Sequence, residues 1–188
     1  MTDWSNIVRQ HGPLVWKTAY RLLSNDADAS DCFQDAFVSA LELSRKEAIR
    51  HWPATLKRLT TARALEQLRR RYRHASRNEA LPDMPLVDNQ ASKPSQGVAD
   101  AEIVDQLHVA LSRIDAIQAE VFCLSVFDEL SNREVADQLD LKANHVGVLL
   151  HRAKKNLQDL LEGQSESTAD VRSDENRQRT VRSREETQ

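Results

Sequence analysis

Apolar residues recur at three- and four-residue spacing along most of this chain, a period that belongs to helices whose one face is buried. Strands would need alternation, and hairpins would need turn residues. Only 4 glycines and 5 prolines occur in 188 residues, which argues against a hairpin-rich all-β fold. Ala, Leu, Glu, Gln, Lys and Arg, the good helix formers, dominate instead. The reading is an all-α protein, and its length allows one ordinary domain or two small ones.

Residues 4–23 carry a first apolar set of Ile7, Val8, Leu14, Val15, Ala19, Leu22 and Leu23. Gly12-Pro13 is expected to break or restart that helix, because proline removes a backbone donor. SNDADASD supplies capping residues and acids for a second helix over about 27–44. Its stripe is Ala29, Phe33, Ala36, Phe37, Ala40 and Leu41. Trp52-Pro53 opens a third helix with Leu56, Leu59, Ala62, Leu65 and Leu68 as apolar positions. Residues 76–100 then lose periodicity and gain three prolines and a glycine. They read as a flexible linker between domains 1–75 and 101–162. The residues from 163 to 188 mix charges with almost no apolar side chains, and are expected to be disordered.

Net charge is only −3, but its distribution is uneven. Residues 57–77 carry Lys57, Arg58, Arg63, Arg69, Arg70, Arg71, Arg73 and Arg77 against Glu66 alone. Residues 78–105 carry Glu79, Asp83, Asp88, Asp100, Glu102 and Asp105 against Lys93 alone. A near-neutral total hides a basic block followed by an acidic one. Cys32 and Cys123 sit in apolar patterns far apart, which describes reduced core residues and not a disulfide framework. The start MTDWSNIVRQHG lacks an apolar stretch after a basic segment, and no run approaches membrane-span length. A cytoplasmic protein without signal peptide or membrane segment is expected.

Three segments could carry function. The first is LSNREVADQLDLKANHVGVLLHRAKKNL at 130–157. Ser131 with Glu134 forms a capping-box pattern. A short helix bearing Val135, Ala136 and Leu139 is followed by the turn Asp140-Leu141-Lys142. A longer helix from 143 to about 161 then turns Val146, Leu149, Leu150, Ala153 and Leu157 inward. That is the helix-turn-helix arrangement, whose second helix enters the major groove. Lys142, Asn144, His145, His151, Arg152, Lys154 and Lys155 are left on its polar side, and such side chains read base edges or pair with phosphates. The same pattern would also describe a small bundle with a solvated basic face.

The second segment is the basic third helix, where cations interleave with Trp52 and Tyr72. Cations hold phosphates while aromatic faces stack on bases, which suits a nucleic-acid strand. The third is DCFQDAFVSAL at 31–41, with Phe33, Phe37, Ala40 and Leu41 inward and Asp31, Gln34, Asp35 and Val38 outward. By itself it reads as a solvated acidic face. Nothing argues for an enzyme: there is no glycine-rich phosphate loop, and the six histidines lack metal-ligand spacing. No cofactor is expected.

In their order and spacing these segments resemble the extracytoplasmic-function group of sigma-70-type sigma factors, over roughly 5–75 and 105–161. DADASDCFQDAFVSAL is similar to region 2.2 of that family, which docks on the clamp helices of the polymerase largest subunit. The resemblance makes Asp31, Gln34, Asp35, Phe37 and Val38 the core-polymerase-binding set. WPATLKRLTTARALEQLRRRYR is similar to regions 2.3 and 2.4, which melt and read the −10 element. It implies −10 contacts from Trp52, Lys57, Arg58, Arg63, Arg69, Arg70 and Arg73, with basic residues holding the strand while a flipped base is captured. Ala62 stands where many members have asparagine.

The segment from Leu111 to Leu157 is similar to region 4, which reads the −35 element. It implies −35 contacts from Lys142, Asn144, His145, His151, Arg152 and Lys155. Gly147, Val148 and Leu149 replace residues that are more often polar or basic there. The resemblance therefore implies a non-enzymatic promoter-specificity subunit with core RNA polymerase and promoter DNA as partners, and an anti-sigma protein as a further one. Two other readings fit the residues alone. One is a helix-turn-helix regulator that binds duplex DNA without polymerase. The other is an adaptor whose basic faces bind acidic protein.

Overall fold

A computed structural model describes residues 2–78 and 98–163, with the side chains of 75–78 and 98–100 left aside. The linker expected within 79–97 and the disordered tail expected from 164 onward lie outside the described residues. Every regular element among the described residues is helical. In chain order these are α1 (Trp4–Leu23), α2 (Asp26–Lys46), α3 (Trp52–Asn78), α4 (Val98–Arg113), α5 (Ala116–Phe122), α6 (Asn132–Leu139) and α7 (143–163). No helix among the described residues is long and apolar enough to cross a membrane.

Local chemistry sets most of the boundaries. Asp3 caps α1 by accepting from the Asn6 N–H at 3.0 Å. Ser24 adopts left-handed dihedrals and donates its N–H to the Tyr20 carbonyl, closing α1. Asn25 caps α2 through the Asp28 N–H, and acids in the first turn and Arg45 and Lys46 in the last complement the helix dipole. The His51 ring nitrogen accepts from the Ala54 N–H at the start of α3.

Gly12-Pro13 does not break α1, contrary to the sequence expectation: the helix runs through Pro13. Pro13 and Arg9, whose carbonyl loses its usual donor, both lie on the exposed side, where solvent can satisfy that carbonyl. Ile7 before the proline and Val15 after it are buried in one cluster, so packing on both sides keeps the helix continuous across the missing bond. A second correction concerns α3. Ala62 is exposed, and Thr60, Thr61 and Ala64 are buried in its place. The face is broader than a strict apolar stripe because Thr60 returns its hydroxyl to the Leu56 carbonyl at 2.7 Å, which lets a polar side chain be buried.

Three apolar clusters organise the described residues. One lies within α1–α3 and contains Ile7, Val15, Ala36, Ala40 and Leu56, with Trp4 and Trp52 edge to face at 5.3 Å beside it. A second lies within α5–α7 and contains Val121, Leu124, Val135, Ala136, Val146 and Leu149. The third joins the two halves: Leu22, Leu23, Leu65 and Leu68 from α1 and α3 meet Leu111, Cys123, Ala153 and Leu157. Both cysteines are free and buried, as expected. Burial pushes the Cys32 thiol up to about 12, and raises that of Cys123 as well, so neither is a thiolate at neutral pH.

Candidate nucleic-acid and partner interfaces

The segment 131–163 forms the helix-turn-helix read from the sequence. The Ser131 hydroxyl accepts from the Glu134 N–H, and the Glu134 carboxylate accepts from the Ser131 N–H at 2.8 Å, completing the capping box. The Ser131 hydroxyl also donates to that carboxylate at 2.7 Å, and with the Ser131 N–H it holds the Glu134 carboxyl below its usual range. Asp140 takes the place of the glycine common in such turns. It adopts φ 54° and ψ 49° and donates its N–H to the Ala136 carbonyl. Aspartate tolerates this left-handed geometry better than most side chains. Leu141 donates to the Ala136 carbonyl at 2.9 Å, and α7 begins two residues later.

That turn sends Val146, Leu149, Ala153 and Leu157 into the core and leaves the opposite face open. Lys142, Asn144, His145, His151, Arg152, Lys154 and Lys155 lie on it or at its start, all of them exposed. Val148, 48% exposed, sits among them one turn from Asn144 and Arg152. Gly147 faces α6, where an added Cβ would stand 3.4 Å from the Asn132 amide nitrogen. The stretch Gly147-Val148-Leu149 is thus divided: one residue at the helix crossing, one outward, one in the core.

The cations of α3 do not form one patch. Arg63, Arg70 and Arg73 are exposed on the outer side, and Arg63 and Arg70 share Glu66, whose carboxyl their bonds hold below its usual range. Lys57, Arg58 and Arg69 lie on another face, which is directed at the C-terminal half. The Lys57 ammonium is 3.7 Å from Asp128. Glu120 is the acid that Arg58 and Arg69 act on: burial pushes its carboxyl up, and those two charges oppose the push. Arg69 has its own charge disfavoured by burial, with Asp115 and Glu120 opposing that. Trp52 is turned toward Trp4 and is partly buried. Arg71 pairs with Asp28, to which Gln67 also donates, fastening α3 to the start of α2.

On α2, Asp31, Gln34, Asp35 and Val38 face outward, Val38 at 53% exposure, and Phe37 lies against Phe33 with ring centroids 4.9 Å apart. Sequence reasoning missed an adjoining part of this surface. Trp16 and Tyr20 of α1 stack at 6.5 Å, both are more than a third exposed, and Trp16 meets Phe33 edge to face. Their spacing of four was the available signal: both fall off the apolar stripe of α1.

The contact between halves was missed as well. A π-helical turn, Cys123–Phe127, follows α5 and ends at Asp128. It points the Phe127 carbonyl and the Asp128 carboxylate at α1, where the Arg21 guanidinium donates to them at 2.6 and 2.8 Å. No local pattern could announce a pair 107 residues apart.

Comparison with known proteins fits this geometry. Residues 7–74 match the family "Sigma-70 region 2", and residues 104–157 match "Sigma-70, region 4". The chain is 32% identical over 170 residues to the ECF RNA polymerase sigma factor SigE of Mycolicibacterium smegmatis, an alignment that covers 90% of this chain and 65% of that protein. The chain therefore spans slightly less than two thirds of that relative's length. It is 22% identical over 165 residues to the ECF RNA polymerase sigma factor SigW of Bacillus subtilis, covering 84% of this chain and 88% of that one. Its fold is similar to that of the sigma factor RpoE from Bartonella quintana, solved in complex with the anti-sigma factor NepR. The TM-score is 0.51 at 20% identity, over 86% of this chain and 98% of that one. Both matched families, each seated on one helical half in the order that the α2, α3 and α7 surfaces require, place the chain in the sigma-70 family, as a member of its extracytoplasmic-function group.

Proposed function

We propose that the protein is a promoter-specificity subunit of RNA polymerase, with three working surfaces and no chemistry of its own. α2 presents Asp31, Gln34, Asp35, Phe37 and Val38 to the core enzyme. α3 holds the −10 strand through Trp52, Lys57, Arg58, Arg63, Arg69, Arg70 and Arg73. α7 reads the −35 duplex through Lys142, Asn144, His145, His151, Arg152 and Lys155. The domains concerned run from 1 to 75 and from 101 to 162, and action on polymerase places the protein in the cytoplasm. An anti-sigma protein is a further proposed partner, as for the sigma factor of similar fold solved with one.

The single observation that carries this reading is the open polar face of α7 on a capped helix-turn-helix, joined in one chain to an α2 whose Asp31, Gln34 and Asp35 side chains face outward. A free-standing DNA-binding regulator needs the first and has no use for the second. Run-off transcription with bacterial core polymerase on pooled genomic promoter fragments tests it. Wild type is expected to initiate specifically. An Asp31→Ala/Gln34→Ala variant is expected to lose initiation by more than about thirtyfold, as removal of interface hot spots does, with helicity unchanged. Strong duplex binding without any initiation would favour the free-standing regulator.

Val148 adds a specificity element to the same face. An exposed apolar side chain between polar readers suits the C5-methyl group of thymine in the major groove. Fragments made with uracil in place of thymine should bind wild type several-fold more weakly, as expected when one base is no longer read. A Val148→Ala variant should lose that distinction, and a distinction that survives in the variant would remove Val148 from the reading set.

A further inference from the structure

Between the end of α2, the start of α3 and one face of α6 lies a crevice of about 820 Å³. That is the size of a small-molecule site, and such sites occur preferentially where two units meet. Its two walls differ in charge. One wall, from the connection between α2 and α3 and from α3 itself, carries Arg50, His51, Lys57 and Arg58 against the carboxylate of Glu47. The other, from α6, carries Glu134, Asp137 and Gln138 and no cation. These three are spaced i, i+3 and i+4, so they share one helix face. Leu43, Ile49, Pro53 and Leu130 give the space apolar surface as well.

Not all of these groups are engaged within the protein. Lys57 is, since its ammonium lies 3.7 Å from Asp128 and its charge acts on Glu134. Glu134 is too, since it accepts from both the N–H and the hydroxyl of Ser131. By contrast, the side chains of Arg50 and Asp137 are exposed and make no ion pair or hydrogen bond among the described residues. His51 accepts from the Ala54 N–H at Nδ1, so the neutral ring carries its proton on Nε2 as a donor. Gln138 Oε1 is buried without a hydrogen-bond partner among the described residues. Buried acceptors are normally satisfied, so this one calls for a donor from elsewhere. Its amide has only to turn about a soft terminal torsion to offer that oxygen to the crevice. Positive donors thus stand ready on one wall, and acceptors on the other.

We propose that the crevice is a site for a guanine nucleotide, with its phosphates on Arg50, His51 and Arg58 and its base edge on Asp137 and Gln138. Guanidinium groups match phosphate oxygens two at a time. Guanine fits the α6 wall because its ring N–H and its amino group are adjacent donors, and a carboxylate offers two acceptors side by side. Adenine and cytosine set a ring acceptor beside their amino group, which the Asp137 carboxylate would repel. The faces of the base lie against the aliphatic side chains of the crevice. A guanine within a DNA strand offers the same base edge. Three donor groups on one wall suit the charge of a terminal diphosphate better than the single charge of a strand phosphate. Arg58 is also one of the cations proposed for the −10 strand. A nucleotide held there therefore competes with that strand, a consequence that rests on the promoter reading.

Calorimetric titration of the full chain tests the site, with guanosine diphosphate, adenosine diphosphate, inorganic pyrophosphate and a short thymine oligomer carrying one central guanine. Guanosine diphosphate should saturate a single site and raise the melting midpoint, as a ligand of the folded state does. Adenosine diphosphate should bind at least about tenfold more weakly, because acceptors built for guanine are then left unpaired. Asp137→Asn replaces one acceptor oxygen with a donor and should erase that preference. Arg50→Ala should weaken both nucleotides about tenfold and keep the preference, because it removes a charged hydrogen-bond donor to the phosphates. Both residues are exposed and outside the proposed strand-, duplex- and core-binding sets, so helicity should match wild type in both variants. Equal affinity for the two nucleotides, no saturable binding, or a preference that survives Asp137→Asn overturns the proposal. So does pyrophosphate binding as tight as that of guanosine diphosphate, which would leave only a cluster of cations. Tighter binding of the oligomer than of the nucleotide, lost in Asp137→Asn, would give the crevice to a strand base instead. Binding is read without polymerase or promoter, so its failure and that of the promoter reading are told apart.

Discussion

Replacing Leu56 with alanine is expected to cost about 2–5 kcal/mol of stability, the range for truncating a fully buried leucine. Leu56 is completely buried in the cluster that joins Ile7 and Val15 of α1 to Ala36 and Ala40 of α2. Few neighbours there can collapse into the space. Alanine residues of α2 are already as small as the packing allows, and Trp4 and Trp52 hold each other edge to face. All three tryptophans of the chain, Trp4, Trp16 and Trp52, lie in this half, so fluorescence follows its unfolding directly. Urea titration of the variant should therefore move the fluorescence midpoint well below that of wild type. A change under about 1 kcal/mol would show that the cluster repacks freely and that the described core is not what holds α1–α3 together.

The largest expected effect on binding lies in α7. An Arg152→Ala/Lys155→Ala variant should bind selected promoter duplex at least about tenfold more weakly than wild type. Both side chains are exposed, and neither has an ion-pair partner assigned among the described residues, so their removal should leave the fold untouched. If both neutralise phosphates, the slope of log affinity against log salt should also flatten by about 1.8, or about 0.9 for each phosphate that is no longer paired. Titration by anisotropy across a range of salt measures both quantities together. Weaker binding with an unchanged slope would mean that the two residues read bases or shape and not backbone charge. Unchanged binding would move the duplex surface away from α7 altogether.

The sequence determined a good deal of this protein, and the reasons are local. Period and caps lie within a turn or two of the residues they organise. Ser131 with Glu134, Asn25 with Asp28, and the Asp140 turn could all be read before any coordinates, because each hydrogen bond closes over two to four residues. The split of α7 into a buried stripe and an open polar face followed from helical geometry alone. So did the outward direction of Asp31, Gln34 and Asp35 on α2.

What the tertiary structure decided is everything that depends on a partner distant in the chain. Pro13 remains inside α1 because α2 and α3 pack on both sides of it, and a local rule about proline has no knowledge of that support. Ala62 faces out while Thr60 and Thr61 face in, because α3 is covered on more than one side. The basic block looked like a single patch in one dimension. Folding divides it, leaving Arg63, Arg70 and Arg73 on the outer side and turning Lys57, Arg58 and Arg69 toward acids contributed by α5 and the π turn. Charge along a sequence reports how many cations a helix carries. Which of them are free to meet a ligand is set by the packing of the other half, and that is a property of the whole fold.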